Sequence, residues 1–357
     1  MRSVLGWKAI ETSCGRFEWE GVTLSAASVY FLDAVCIDPD WLYVATQLED
    51  LDPHETSHTR MSVLDLTQSS WWACHDYEDT IVSVHAYRLP KEDLPDGSRY
   101  AALGMHGTVH FNERNEPTFK EVIPGAGMTE GNFGGLLTHI RLIDGQLWAC
   151  GQHGQVYRRM GRDDWQPADE GIRVHLNPSD HAQDVEGLLD RMNAAPMLSC
   201  MDGASSDDVY VVGLGGYMAH FDGTAWTRID LPVDEHLEWV RCYGPEEVWV
   251  CGYKGTLLRG NARDGFNRLN GSNDQQTFVC LTKFNESVYL CAEEGLFVWN
   301  GKSIMQVRTS LQPELQDAWR VDQVDGVLWS VGVTDIARFD GKIWLRVEHP
   351  DNERIGP

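Results

Sequence analysis

A strand–turn–strand pattern repeats along most of this 357-residue chain. Each copy contains four or five apolar residues, a tight turn with a small residue, and a second apolar stretch. The small residues occupy equivalent positions, at Gly104, Gly151, Gly213, Gly252, Ala292 and Gly332. They are 47, 62, 39, 40 and 40 residues apart. A period near 40 residues with two insertions is typical of architectures in which similar units stack on one another.

Each unit is predicted to be a four-stranded antiparallel sheet. An apolar stretch before each motif supplies the innermost strand, and three turns supply the positive φ that a two-residue hairpin requires. These turns are Asp222-Gly223, Asn300-Gly301 and Asp340-Gly341. Such a sheet cannot bury both faces alone, and a closed ring of stacked sheets leaves no unprotected end. The chain is therefore predicted to be all-β, a single β-propeller.

Seven blades are predicted, because residues 26–76 keep the strand order of the other units although they lack the glycine. Six and eight blades are the alternatives that the repeat spacing leaves open. The propeller is expected to cover residues 23–350, with residues 351–357 as a C-terminal tail. Residues 1–22 are left over, and they are a candidate latch that pairs with the last blade.

Two segments, VYVVGLGGYMAHFDGTAW from Val209 and VWVCGYKGTLLRG from Val248, resemble units of the bacterial YVTN/BNR-like (WD40-like) propeller repeat family. The resemblance covers residues 97–348 and, more weakly, residues 26–76. FDGTAW lacks the Ser-x-Asp-x-Gly-x-Thr-Trp spacing of sialidase Asp boxes, and the chain lacks the Trp-Asp dipeptides of WD40 repeats. Bacterial propellers with similar repeats include immunity proteins of polymorphic or contact-dependent toxin systems. The resemblance therefore implies a non-catalytic protein that neutralises a toxin or effector domain by stoichiometric binding.

The chain carries 54 acidic and 29 basic residues, a formal charge of −25. This charge repels polyanions, which argues against nucleic acid and anionic membranes as partners. No apolar run reaches the roughly 18 residues of a membrane span, and the N-terminus lacks a signal-peptide pattern. The nine cysteines include no CxxC pair, and several fall in apolar strands. These features predict reduced thiols, a cytoplasmic protein and no metal or other cofactor.

One face of the ring is predicted to bind the partner. The loop between the second and third strands and the link to the next blade emerge on the same face of a propeller. The longest insertions, residues 47–59 and 168–193, both belong to that face and are both acidic. The second insertion is predicted to contain a short amphipathic helix over HAQDVEGLLDRMN. We expect this face to dock a basic protein surface. The predicted partner-binding residues are Glu49, Asp50, Asp52, Glu55, Phe133, His153, Asp169, Glu170, Asp184, Glu186, Asp234, Glu235, Tyr253, Glu293 and Glu294.

The sharpest catalytic motif is HETSH at residues 54–58, which matches the HExxH pattern of zinc proteases. That pattern requires a helix, and here Pro53 precedes the motif and a strand-like segment follows it. His54 and His58 are therefore weak metal candidates, and metalloprotease activity is not predicted. The alternative function is a carbohydrate-active or metal-dependent hydrolase or lyase that uses carboxylates or histidines on the same face.

Overall fold

The structure is a computed structural model that describes most of the chain. The described residues are 17–19, 22–24, 28–52, 55–68, 71–88, 98–112, 118–129, 132–175, 185–269 and 275–355. Two short strands at the N-terminal end, β1 (Phe17–Trp19) and β2 (Val22–Leu24), pair with each other. The latch that residues 1–22 are predicted to form stays a prediction, because most of that segment lies outside the described residues.

Seven four-stranded antiparallel sheets form a ring within the described ranges, which confirms the predicted propeller. Blades 1 and 2 consist of β3 (Val29–Asp38), β4 (Trp41–Leu48), β5 (Thr59–Asp65), β6 (Trp71–Tyr77), β7 (Ile81–Arg88), β8 (Ser98–Gly104), β9 (Thr108–Asn112) and β10 (Phe119–Val122). A hairpin of β11 (Gly127–Thr129) and β12 (Asn132–Gly135) follows. Blades 3 and 4 consist of β13 (Leu137–Ile143), β14 (Gln146–Gly151), β15 (Val156–Gly161), β16 (Asp164–Pro167), β17 (Leu198–Ser205), β18 (Asp208–Gly213), β19 (Tyr217–Phe221) and β20 (Trp226–Arg228).

Blades 5 to 7 have the same construction. They consist of β21 (Leu237–Cys242), β22 (Val248–Gly252), β23 (Leu257–Asn261), β24 (Gly265–Arg268), β25 (Cys280–Phe284), β26 (Ser287–Ala292), β27 (Gly295–Trp299), β28 (Ile304–Gln306), β29 (Arg320–Val324), β30 (Val327–Val331), β31 (Ile336–Phe339) and β32 (Trp344–Val347). The strands of each blade pair in sequence order, and the first strand of each blade lies innermost. The helix α1 (Val185–Ala194) lies in the link between blades 3 and 4. No helix of the described residues is long and apolar enough to span a membrane.

The Asp-Gly and Asn-Gly turns connect the third and fourth strands of blades 4, 6 and 7. Their glycines adopt φ values of 88°, 91° and 89°, as predicted. The loops contain four residues rather than the predicted two, because the Asp or Asn side chain caps two backbone N–H groups. Asp222 Oδ1, for example, accepts the N–H of Thr224 at 2.9 Å and that of Ala225 at 3.0 Å. Each hairpin is therefore held locally, without help from other blades.

The repeated glycine at the end of the second strand has a packing cause. In blade 5, a side chain at Gly252 would overlap the carbonyl oxygen of His236, which immediately precedes the innermost strand. In blade 4, Gly213 faces the carbonyl oxygen of Met197 in the same way. The link from the preceding blade thus crosses directly over the second strand. The regular spacing of these glycines in the sequence results from this close approach.

The blades stack through apolar faces. Trp148 of blade 3 is fully buried among Met201, Val209 and Phe221 of blade 4. The rings of Trp148 and Phe221 meet edge-on, with centroids 6.0 Å apart. Large aromatic side chains of this kind fill the wedge between sheets that splay outward from the ring axis. Each blade therefore depends on its neighbours to cover its faces.

Seven cysteines of the described residues are free thiols, as predicted. Six of them are buried, at Cys36, Cys150, Cys200, Cys251, Cys280 and Cys291. Burial raises the pKa of Cys150 to about 12, which keeps that thiol protonated and unreactive at neutral pH. Cys74 differs, because it is disulfide-bonded. The prediction of reduced thiols is therefore wrong at Cys74.

A belt of hydrogen bonds joins the innermost strands around the ring. At each junction, a side chain of one innermost strand, or of the residue directly after it, bonds to the backbone of the next blade. The bonds run from Val84 N to Asp33 (2.6 Å), Ile140 N to Ser83 (3.3 Å), Met201 N to His139 (3.4 Å), Cys242 N to Asp202 (2.9 Å), Lys283 N to Tyr243 (2.5 Å), Cys280 Sγ to the Val321 oxygen (3.6 Å), and Cys36 N to Asp322 (3.2 Å). The belt satisfies backbone groups that a lone blade would leave unpaired at the channel.

Three ion pairs reinforce this belt. Arg320 Nε lies 2.6 Å from Asp33, Arg141 Nε lies 2.9 Å from Asp202, and Arg241 Nη2 lies 3.5 Å from Asp322. Asp33 and Asp202, which each bond to two blades at once, are only 4% and 3% exposed. Removing one partner of such a buried pair leaves an uncompensated charge, which is strongly destabilising.

We predict that Asp33→Ala lowers the free energy of unfolding by about 3–5 kcal/mol. The substitution leaves the Arg320 guanidinium without its counter-ion and the Val84 N–H without its acceptor. Urea denaturation followed by circular dichroism measures this loss. The matched control is Asp40→Ala, which breaks the partly exposed pair with Arg338 at the same junction of blades 7 and 1. That loss is expected to stay below about 1 kcal/mol. Equal losses in the two variants would contradict a structural role for the belt.

The C-terminal residues 348–355 cross from blade 7 onto blade 1. Asn352 Oδ1 accepts the N–H of Val29 at 2.8 Å, and His349 Nε2 lies 3.2 Å from Ser62 Oγ. The carboxylate of Asp351 lies 3.1 Å from Arg60 Nη1. Blades 1 and 7 each take their four strands from one continuous segment of the described chain. The C-terminal residues therefore fasten the ring at its junction without exchanging a strand.

Two titratable groups of this segment respond to pH in opposite directions. Burial, with a smaller effect of Arg60, lowers the pKa of His349 to about 3. Burial raises the pKa of Asp351 to about 6, against the attraction of Arg60 and with a small contribution from Asp76. Between about pH 3 and pH 6, His349 binds its proton more tightly in the unfolded chain than in the folded chain. Asp351 binds its proton more tightly in the folded chain. His349 thus lowers stability as pH falls below about 6.5, whereas Asp351 lowers it as pH rises from about 4 to 6.

We predict that two isosteric variants shift the pH profile of stability in opposite senses between pH 4 and 6. Asp351→Asn removes the pH effect of Asp351, which opposes that of His349. The free energy of unfolding therefore falls more steeply on acidification, by up to about 1.4 kcal/mol per pH unit. His349→Gln makes the fall shallower. The measurement is urea denaturation at pH 4, 5, 6 and 7, with wild type in parallel. Profiles that shift in the same direction would refute the assignment.

Candidate interaction face

The loops between second and third strands and the links between blades emerge on one face, where the innermost strands also begin. We call this surface the channel face. It includes residues 49–58, between β4 and β5, and residues 168–197, between β16 and β17. The two insertions that the sequence placed on one face are therefore on the same side of the ring. The central channel opens between them.

The first segment presents exposed acids. Glu49, Asp50, Asp52 and Glu55 are all exposed. Glu49 Oε1 accepts a hydrogen bond from the hydroxyl of Tyr30 at 2.9 Å, and this contact raises the pKa of that hydroxyl. Because Tyr30 lines the channel mouth, the acidic segment is continuous with the channel.

The second segment contains the predicted short helix, now observed as α1. Glu186 is exposed on it, and Asp184 lies outside the described residues. Asp169 is half-buried with its carboxylate 3.5 Å from Arg173, and burial raises its pKa. Glu170 is exposed, and its carbonyl accepts the N–H of Trp226 at 3.4 Å. Since Trp226 begins the outermost strand of blade 4, Asp169 and Glu170 lie toward the rim rather than at the channel.

A third group surrounds the link between blades 4 and 5. Tyr253 is 41% exposed and its ring packs on His236, with centroids 4.9 Å apart. Glu235 lies 3.7 Å from Lys254 Nζ, and Asp234 is exposed. The predicted residues of this group thus share one part of the channel face.

The remaining predicted residues are spread over other loops. Glu293 and Glu294 are exposed at the tip of blade 6, where Glu294 accepts a hydrogen bond from Gln276 at 2.6 Å. His153 adopts a positive φ of 61° at the tip of blade 3. Phe133 lies in β12 and pairs with Met128, which is 50% exposed. Their involvement in binding stays a prediction.

A cavity of about 440 Å³ forms the mouth of the channel. Six side chains give it its chemical character: Tyr30, His139, Glu238, Trp239, Trp319 and Arg320. Burial and the neighbouring Arg141, Arg241 and Arg320 lower the pKa of His139 well below its ordinary value. The histidine is therefore neutral at pH 7 and adds no charge to the mouth.

The partner-binding residues predicted from the sequence do not include these channel residues. Tyr30, Glu238 and Trp319 all stand at the start of an innermost strand or directly before it. Aligning the segment that precedes each repeat motif would have brought these positions together. The sequence pattern alone did not indicate that the start of the first strand faces the channel axis in every blade.

The HETSH segment does not form the helix that a zinc protease requires. Glu55 lies in a turn and residues 56–58 have no regular structure. His58 is fully buried with Nε2 3.1 Å from Asp76 Oδ1, and His54 lies outside the described residues. Within the described ranges, no group of three or more His, Cys, Asp or Glu residues is placed to hold a metal ion.

The fold and this face define a seven-bladed β-propeller with a one-sided set of acidic loops. The chain is similar to the immune protein Tsi7 of Pseudomonas aeruginosa PAO1, with 26% identity over 314 residues. The match covers 87% of this chain and 94% of Tsi7. Together with the seven blades, it fits the propeller-type immunity protein that the sequence resemblance implies. No family model matches the sequence, so the repeat family itself stays a prediction.

Solved structures share the architecture at low identity. The WD40 β-propeller domain of Doa1 has a TM-score of 0.58 at 10% identity, covering 89% of this chain and 94% of that one. YCF48 bound to D1 peptide has 0.58 at 13%, covering 90% and 93%. Virginiamycin B lyase from Staphylococcus aureus has 0.56 at 10%, covering 75% and 84%. These similarities show the fold alone.

Proposed function

We propose that this chain is an immunity protein that neutralises a toxin or effector domain by stoichiometric binding. The observation that carries the proposal is the similarity to the immune protein Tsi7, which extends over 94% of that protein. A match of this extent covers most of the ring rather than one shared repeat. Neutralisation by binding needs a large complementary surface and no catalytic constellation, which suits a propeller with long loops on one face.

The state of the channel carboxylates supports a binding role over catalysis. Asp33, Asp202 and Asp322 each accept a backbone N–H and each lie beside an arginine. Acid–base chemistry requires a carboxyl group whose proton can reach a substrate. Carboxylates that hold two blades together do not meet that requirement. The pairing of these three carboxylates therefore supports a non-catalytic role.

The exposed acids of the channel face support a partner with a basic surface. Glu55, Asp234 and Glu293 are exposed, and the chain carries a formal charge of −25. Acidic loops of this kind accelerate the encounter with a cationic partner through long-range attraction. Neutralisation is proposed to take place in the cytoplasm, which the seven free thiols of the described residues support. The disulfide at Cys74 makes cell fractionation a necessary check.

Deletion of the gene in its host tests the proposed function. The deletion strain is grown on a solid surface together with its parent, and survivors of each are counted. We expect the parent to inhibit the deletion strain, and a plasmid copy of the wild-type chain to restore survival. Equal survival of deletion strain and parent under conditions in which the parent deploys its toxins would refute the proposal.

We predict that reversing three charges, Glu49→Lys, Asp50→Lys and Asp52→Lys, slows association with the neutralised toxin domain about tenfold or more at low salt. The dissociation rate is expected to change little, because rim charges act mainly on the encounter. Surface plasmon resonance across a salt series measures both rates.

The control reverses three acids on the opposite face, Asp163→Lys, Glu286→Lys and Asp325→Lys, which are exposed in the short loops there. It changes the net charge by the same amount. A similar slowing in both triple variants would show that overall charge, rather than the channel face, steers association.

A further inference from the structure

The mouth of the channel contains a carboxylate without a counter-ion. Glu238 lines the cavity and makes no hydrogen bond or ion pair with any described residue. Burial raises its pKa, and the only opposing influences are those of His236 and Arg320. A half-buried acid without a partner is an energetic cost to the free protein, because its charge is partly removed from water. A ligand of opposite charge would recover that cost.

The other charges of the channel balance one another. Below the mouth, Asp33, Asp202 and Asp322 are matched by Arg320, Arg141 and Arg241. His85, which lies in the deeper channel, is held neutral because burial lowers its pKa well below the ordinary value. Glu238 is therefore the one acid of the lined channel, among the described residues, whose charge is not matched. The mouth carries a net negative charge.

Aromatic side chains line the same cavity as this acid. Trp319 and Tyr30 line the same cavity and are 38% and 37% exposed. Trp239 lies beneath them, and the guanidinium of Arg320 already sits 5.0 Å from the centre of its ring. Aromatic faces attract cations, and the effect is larger where water is partly excluded. The protein thus already shows, at Trp239, the stacking that a second guanidinium could make on Trp319.

We propose that the channel mouth is a socket for one basic side chain, arginine or lysine, that projects from the partner. Glu238 is its counter-ion, and Trp319 and Tyr30 form the walls. The cavity of about 440 Å³ has room for one extended side chain. The hydrogen bond from Tyr30 to Glu49 joins the socket to the first acidic loop, so a basic segment could lie across the loop and insert one residue. This inference rests on the proposed function, since it assigns the partner's anchoring chemistry.

A small probe tests the socket without the partner. N-acetyl-arginine amide is titrated into the protein, and its neutral isostere N-acetyl-citrulline amide serves as the probe control. Two-dimensional NMR of tryptophan indole N–H groups follows binding, and Trp319→Phe identifies the Trp319 signal. We expect the arginine probe to shift that signal, the citrulline probe to leave it unchanged, and Glu238→Gln to weaken binding about tenfold.

The protein control is Glu286→Gln, which removes an exposed carboxylate on the opposite face of the ring. Its affinity for the probe is expected to equal that of wild type. Equal affinity of Glu238→Gln and wild type, or equal binding of the arginine and citrulline probes, would overturn the proposal. The proposal would also be overturned if the Trp319 signal does not shift at the highest soluble concentration of the arginine probe.

The failure of the socket can be told apart from failure of the proposed function. If Glu238→Gln protects the deletion strain as well as wild type and binds the toxin domain equally tightly, the socket is refuted and the immunity role stands. If the deletion strain survives against its parent, the immunity role fails, and the probe titration still decides whether the mouth binds a cation. The isosteric change at a half-buried position keeps the fold, which the urea denaturation midpoint verifies.

Discussion

The ring depends on side chains of the innermost strands that bond to the backbone of the next blade. A lone four-stranded sheet at this position would leave N–H and C=O groups facing a narrow channel. The belt supplies a partner to one such group at each of the seven junctions, through Asp33, Ser83, His139, Asp202, Tyr243, Cys280 and Asp322. Because each bond joins two blades, no blade is complete alone. The belt and the apolar faces of the blades thus stabilise the same closed arrangement.

Closure has a consequence for the interaction face. The C-terminal residues leave blade 7 on the channel face and cross onto blade 1, where Asp351 and His349 are buried beside Arg60. The junction that a propeller must fasten therefore lies beside the acidic segment 49–58, which belongs to blade 1. A partner bound to that segment would contact the ring beside the junction of blades 7 and 1. Its binding energy would then also oppose opening at this junction.

The proposed function belongs to the loops rather than to the blades. The blades match the propellers of Doa1, YCF48 and virginiamycin B lyase at 10–13% identity, which shows that very different sequences satisfy the same sheet geometry. The match to Tsi7, at 26% identity, extends over 87% of the chain. A propeller supplies a rigid rim on which loops can vary without loss of the core. We propose that the acidic segments and the channel mouth are the parts of this rim that distinguish a binding partner.

The sequence by itself determined the architecture, because a blade is a local unit. Glycine at the end of the second strand, Asp-Gly turns and apolar strands of fixed spacing can all be recognised within 40 residues, and the helix of the second insertion has its own periodicity. The face on which both insertions lie also follows from strand order alone. Only the tertiary structure decided what the channel contains. Glu238, Trp319 and Tyr30 come from three blades far apart in the chain, and Glu238 lacks a counter-ion only because Arg320 is already paired with Asp33 across the ring junction. Such a site exists only in the closed ring. No sequence pattern within one repeat shows which charges are neutralised by residues of the other blades.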